Sequence, residues 1–432
     1  MIKHGVRSLM RHSRAVSAYA IATVFAFGSL AVGAQNSLTQ GSFKFDPLPS
    51  SAACTAGGNA NQPFLLPDGF TQHIVASQPD FPDLPDMNTL NETGPSAGRF
   101  LYRTHEISPN AAVSVTDLQT GETHILAQRA DWERFDGIAW TPWGTILAGE
   151  EVGAQGVADP NVPQAQAGLV YEIDPLTGAA VARPALGSKS HEGIRFDPQG
   201  NAYGISESGP GFIFRFVPDR QHDLSAGQLF ALKITMSTGD RTGEAEWVPL
   251  DRTAVQVNAN TAASAVGATG YTRPEDVEIA TSTGNNQGGS NTLYVAITGE
   301  NRVLAIDLRE PQGRNGHDTA FVYDYVKAGL NVSTDFTLPD NLALDKNGNL
   351  YIAEDPATAP ATHLGDDIWV ATPNRQGSNS PAETVVRFAS LTDCSAEPTG
   401  IYFDKSGTIL FVNAQHRGGD GLDKCVAIVP TQ

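Results

Sequence analysis

The sequence predicts an all-β fold, a six-bladed β-propeller with long loops and one insertion. Three observations predict it. The first is a pattern that returns six times: an apolar run, a Gly turn, then a second apolar run ending on an acidic or imidazole side chain. Its copies are Ser96 to Glu106, Pro142 to Glu151, Pro198 to Glu207, Gly289 to Glu300, Lys346 to Asp355 and Lys405 to His416. A repeat of this length means stacked supersecondary units, and its hairpin content points to blades. The second is the spacing: 46 residues from Gly98 to Gly144, 56 to Gly200, 90 to Ser290, 58 to Gly348 and 59 to Gly407. A four-stranded blade needs about 40–50 residues, so these are blades with long loops. The third is composition: 43 Gly and 27 Pro serve many short strands joined by tight turns.

Taken in order, residues 1–34 read as a secretory signal. Lys3, Arg7, Arg11 and Arg14 form a charged start, Ala18 to Leu30 an apolar run, and Val32-Gly33-Ala34 a small-residue cleavage site. Residues 35–60, rich in Ser, Ala and Gly, read as a loose leader, and 61–432 as the propeller. The 90-residue spacing calls for an extra blade or an insertion, and the polar, Ala- and Thr-rich stretch at about 219–270 is the candidate insertion. Helical signals are few, with one turn expected at Ala127 to Phe135. Three cysteines suit an exported chain with at most one disulfide. Cys394 and Cys425 could bridge the last repeat and leave Cys54 free, while pairings through Cys54 stay open.

Without residues 1–34 the chain carries 24 basic and 47 acidic residues, a net charge of −23. Such a surface argues against nucleic acid and anionic membranes, and the remaining sequence has no membrane span. The expected setting is periplasmic or secreted, and the expected state a monomer.

Equivalent strand ends of a propeller converge on one face. Glu106, Glu150, Glu207, Glu300, Glu354 and His416 would thus ring one opening. A second layer precedes each turn by one strand: Asp136, then His191 and Glu192, then Glu275, Asp276 and Glu278, then Asp340 and Asn341, then Glu397. Adjacent antiparallel strands bring both layers to the same sheet edge. Many carboxylates on one rim repel one another without a counter-ion, which makes a metal site the expectation. Hard oxygen ligands suit calcium. His105, His191 and His416 could add a transition metal. Arg273, before Pro274-Glu275, and Arg417, after His416, suggest a small anionic substrate such as phosphate. No HExxH, P-loop or CxxC motif is present. Gly204 to Ser208 lacks the final Gly of a nucleophile elbow.

Thr141 to Glu151, Ser190 to Gly200, Gly211 to Pro218, Arg273 to Ile279, Asp340 to Asp355 and Glu397 to Gly418 together resemble the PhoX-type alkaline phosphatases, in that family's order and over roughly residues 62–430. The resemblance implies a six-bladed propeller with a calcium and iron cluster on its axis that hydrolyses phosphate monoesters. It implies Glu150, Glu151, Glu192, Glu275, Glu278, Glu354 and Glu397 as metal ligands or their neighbours, beside the Glu106 of the strand-end ring. Arg273 would hold phosphate by this likeness; His416, read from the end of the last repeat, joins it in the expected catalytic set. One position departs: the family's Cys before the paired Glu, an iron ligand, is Gly149 here. Glycine offers no ligand, so a calcium site is expected and the implied iron loses its thiolate. The alternatives are another metal-dependent hydrolase, a lactonase or esterase, and a non-catalytic calcium-binding propeller.

Overall fold

A computed structural model describes residues 43–280, 291–309, 318–355, 364–374 and 379–431. The expected signal, residues 1–34, lies outside them. The fold is all-β and propeller-like. Four sheets hold four or five strands each. They begin at Pro85–Leu90, Phe135–Trp140, Pro339–Leu344 and Glu397–Phe403. A fifth has nine strands, running from Ile194–Phe196 at one edge to Pro274–Ala280 at the other. Within it, Gly243–Pro249 pairs with Thr319–Lys327 and so joins two up-and-down runs.

The edge strands Pro85–Leu90, Phe135–Trp140, Ile194–Phe196, Pro274–Ala280, Pro339–Leu344 and Glu397–Phe403 touch one another in that order, and the last touches the first. They line the axis. Each is followed by an antiparallel return strand, and for five of the six the repeat turn lies among the described residues. Gly98, Gly144, Gly200, Gly348 and Gly407 sit in these turns with positive φ, which costs glycine little. Apolar side chains of facing sheets fill the space between them, as where Tyr351 and Phe388 meet Phe403 and Leu410. The ring closes where the early strand Phe70–Ser77 pairs with the C-terminal strand Lys424–Pro430.

The long spacing resolves into ordered structure. Asp223–Ser237 is an outer strand, Gly243–Pro249 its hairpin return, and Ala254–Ala265 a helix. The stretch expected as an insertion therefore supplies part of a sheet. No helical turn forms at 127–135: Ala127 lies in the strand Thr123–Gln128 and Phe135 opens the next. The disulfide joins Cys54 to Cys394, not Cys394 to Cys425, and Cys425 is buried within Lys424–Pro430. Of the leader expected at 35–60, residues 43–60 are anchored at a few points: Phe43 inserts among Phe70, Tyr351, Phe388 and Phe403, and Ala52, Cys54 and Gly57 are buried. No helix among the described residues is long and apolar enough to cross a membrane.

Candidate metal centre

Each axial strand opens with an acid: Asp86, Asp136, Glu192, Glu275, Asp340 and Glu397, all in or just before the strand. A second tier comes from the first or, at Glu207, the second residue past each return strand, namely Glu106, Glu151, Glu207, Thr298, Asp355 and His416. One backbone hydrogen bond fixes the relation between tiers and recurs around the ring. The N–H of Glu106 donates to Leu84 (3.0 Å), Glu151 to Arg134 (2.8 Å), Glu207 to Ser190 (3.2 Å), Thr298 to Arg273 (2.9 Å) and Asp355 to Leu338 (2.8 Å). Each accepting residue lies two before an axial acid. Leu84, Arg134, Arg273 and Leu338 adopt left-handed φ there, which turns the chain into the axis.

The two tiers merge into one acidic basin. Candidate ligand atoms lie within 4.8 Å of one another in four groups: Glu106, Glu397 and His416; Asp86, Glu106 and Asp136; Glu151, Glu192 and Glu207; Glu192, Glu275 and Asp340. Burial first, and then neighbouring carboxylates, push Asp86, Asp136, Glu151, Glu192, Asp340 and Glu397 well above the usual carboxylate range. Burial pushes Glu275 up to about 8, and it shares a hydrogen bond with Glu192. Burial disfavours the charge on Glu106 too, but Arg134 and the Gln415 amide outweigh it and hold its carboxyl low. Asp86 Oδ1 and Asp136 Oδ1 have no hydrogen-bond partner. Such atoms are costly unless a cation or water meets them.

Two guanidiniums stand over the basin, both half-exposed. Arg273 reaches three carboxylates: Glu207 (2.8 Å), Glu275 (2.9 Å) and Asp355 (3.0 Å). Arg134 pairs with Glu106 (3.2 Å) and with Glu151. His416 is also half-exposed, its Nε2 3.8 Å from Glu397 Oε1.

Of the expected residues, Glu106, Glu151, Glu192, Glu275, Glu397, Arg273 and His416 are brought together here, along with Glu207. Three expected ligands, Glu150, Glu278 and Glu354, are not. Successive residues of a strand face opposite sides, so Glu151 and Asp355 take the basin while Glu150 and Glu354 turn away. Glu150 accepts the backbone N–H groups of Glu133 (3.1 Å) and Leu169 (2.9 Å). Glu354 accepts those of Thr337 (2.9 Å) and Asp367 (3.0 Å), and the Trp369 indole (2.9 Å). Glu278 is three residues down its strand, about 10 Å from the rim, and pairs with Arg195 (3.1 Å). Glu300 turns outward to Arg241 (2.7 Å).

The remaining expected groups have structural partners. His105 bonds Asp83 O (3.0 Å) and Ser114 Oγ (2.8 Å), and His191 bonds Lys189 Nζ and Gly187 O (both 2.9 Å). Arg417 is buried away from the basin. Sequence reasoning passed over Asp86, Arg134 and Asp355. A signal for Asp86 existed, since Leu84-Pro85-Asp86 matches Leu338-Pro339-Asp340.

The profile of the alkaline phosphatase PhoX family matches residues 137–418, more than half of the chain. The chain belongs to the PhoX family of alkaline phosphatases. That match spans the axial acids from Glu192 to Glu397. A solved structure of Pseudomonas fluorescens PhoX, in complex with vanadate, a transition state analogue, superposes with a TM-score of 0.68 at 19% identity, over 90% of this chain and 98% of that one. A streptogramin B lyase aligns with a TM-score of 0.42 at 14% identity, over 84% of this chain and 98% of that one. Kuenenia stuttgartiensis hydrazine synthase aligns with a TM-score of 0.42 at 13% identity, over 80% and 95%. No curated protein sequence matches the chain. Gly149 stands where the resemblance implies a Cys. A Cβ built on Gly149 would lie 2.7 Å from His191 Cβ, so the space is already filled.

Proposed function

We propose that this PhoX family member is an exported, calcium-dependent phosphomonoesterase on a six-bladed propeller. The observation that carries the reading is the pair of unpartnered buried oxygens, Asp86 Oδ1 and Asp136 Oδ1, inside a continuous ring of carboxylates. The donor set is oxygen with one imidazole, which fits a hard divalent cation. It does not fit a thiolate-held iron: position 149 is Gly, two cysteines form the disulfide, and Cys425 belongs to none of the candidate groups. Asp86, Asp136, Glu192, Glu275, Asp340 and Glu397, with Glu106, Glu151 and Glu207, would hold the cations. Bound calcium would supply Lewis acidity toward a phosphoryl oxygen.

The rest is done by the chain itself. Arg273 and Arg134, at the mouth, bind and orient the phosphate dianion through forked N–H groups. A small anionic ester is thereby drawn into a basin whose own charge the cations neutralise. His416, half-exposed beside Glu397, is the group we assign to hand a proton to the departing alcohol oxygen. The six inner strands and their six acids support the count of six blades. The Cys54–Cys394 disulfide and the apolar start of the chain support export.

The test is Glu275→Gln, which keeps shape and removes charge. It should abolish turnover of phosphate monoesters and lower the thermal stabilisation given by calcium together. Undiminished turnover in that variant contradicts the assignment.

A further inference from the structure

One corner of the basin, Glu397, Glu106 and His416, is assembled differently from the rest. His416 lies at left-handed φ of 56° and opens the loop 416–423, which contains Gly418, Gly419 and Gly421. Three glycines give that loop little rigidity of its own. Something outside it must fix the imidazole.

The early segment of the chain does so. Cys54 is bonded to Cys394, three residues before Glu397. Thr55 and Asp393 form a bridge, with Thr55 N–H donating to Thr392 O (3.0 Å) and Cys394 N–H to Thr55 O (3.2 Å). The carboxylate of Asp393, 1% exposed, gathers both partners. Its Oδ1 accepts Gly57 N–H and Ser395 N–H (both 3.0 Å), and its Oδ2 accepts Gly418 N–H (2.9 Å). Arg417, its side chain 1% exposed, closes the circuit by donating to Gly57 O (2.5 Å) with its Nε 3.8 Å from Asp393. A Cβ on Gly57 would come within 2.7 Å of Gly419 Cα, so segment and loop meet backbone to backbone. The loop's far end is held as well: Asp423 accepts Arg417 N–H (3.1 Å) and Leu84 N–H (3.2 Å), and Leu84 is two residues before Asp86.

We infer that the disulfide-anchored segment around Cys54–Gly57 is a positioning element which, through Asp393 and Arg417, holds His416 and Glu397 in register with the cation basin. The inference rests on the cation-binding reading above and names residues that touch neither cation nor substrate. Its consequence is that cation affinity depends on a contact made by the N-terminal segment far from the axial acids in sequence.

The experiment compares the wild-type protein with the Cys54→Ser, Cys394→Ser double variant and with Gly57→Ala, which keeps the disulfide. Calcium binding is followed by titration calorimetry, and amide exchange is followed in calcium-free protein. The expected result is about a tenfold loss of calcium affinity, in line with lost outer-shell support, with faster exchange over 416–423 in both variants. Unchanged affinity and unchanged exchange in folded variants overturn the inference. Failure of the wild-type protein to bind calcium at all is a different result: it overturns the cation reading itself, while the exchange data still report whether the segment holds the loop.

Discussion

The backbone N–H of Glu151 donates to the carbonyl of Arg134 at 2.8 Å, so the acid that enters the basin is tied to the cation that covers it. The same residue pair is joined again through the side chains. Sequence separates them by a whole hairpin, and the inner and return strands bring them together. Arg134 thereby occupies the same place as Arg273, two residues before an axial acid. Arg134→Ala should raise KM for a phosphate monoester about tenfold or more while changing kcat less, the scale of a lost charge-assisted hydrogen bond. Steady-state kinetics decide it, and an unaltered KM removes Arg134 from the substrate site.

The alternation along the strand Ile146–Glu150 makes a sharper test of register. Glu151→Gln should weaken calcium binding about tenfold or more, because ligand charge tunes such sites. Glu150→Gln should leave affinity nearly unchanged, since Glu150 holds backbone N–H groups of Glu133 and Leu169 instead. Titration calorimetry on both variants separates them. The opposite ranking would mean the basin is lined by the other face of the strand.

The raised carboxyl groups fix the sign of a pH effect in cation-free protein. Burial pushes Glu275 up to about 8 from 4.5 and Asp276 up to about 7 from 3.8. A carboxyl raised in the folded state binds its proton more tightly there than in the unfolded chain. Its contribution to stability is full below the unfolded value and is lost as pH rises through the folded value. Calcium-free protein should therefore melt at a lower temperature at pH 8 than at pH 5. Saturating calcium should remove most of that decline, because it binds the deprotonated ring of the native state. Calorimetric scans across that range, with and without chelator, check both parts.

Gly149→Cys would supply the thiol that the resemblance implies, in name only. The new Cβ would crowd His191 Cβ at 2.7 Å, and His191 is held by Lys189 and Gly187. The variant should lose about 1–3 kcal/mol of stability, the usual cost of overpacking, and should gain no visible thiolate-to-iron absorption when iron is supplied. Appearance of that absorption would show that the loop around His191 yields and that the basin accepts iron.

Much of this was legible in the sequence because repetition is. The turn glycines at 98, 144, 200, 348 and 407 marked the hairpins, and the acids of both layers fell at one end of the strands. What repetition does not reveal is the phase of a period-two pattern at a strand's last residue. Glu150 and Glu151 are adjacent acids, and only backbone pairing decides which one faces the axis. The same holds for Glu354 and Asp355. Asp86 and Arg134 escaped notice because the first axial strand carries Asn88 where four of its counterparts carry Ile138, Ile194, Val277 and Leu342, and because a lone Arg before Phe135 has no motif of its own. The disulfide was ambiguous for a different reason: Cys54 and Cys394 are 340 residues apart, and only ring closure brings the early chain beside the last sheets.

The central claim is that the carboxylate basin is a calcium-dependent phosphatase site without a thiolate. The measurement that tests it most directly is hydrolysis of p-nitrophenyl phosphate by the mature protein in calcium, after chelation with EGTA, and after calcium is restored. The account predicts turnover that vanishes on chelation and returns with calcium alone. No turnover in calcium, or turnover that survives chelation, would contradict it.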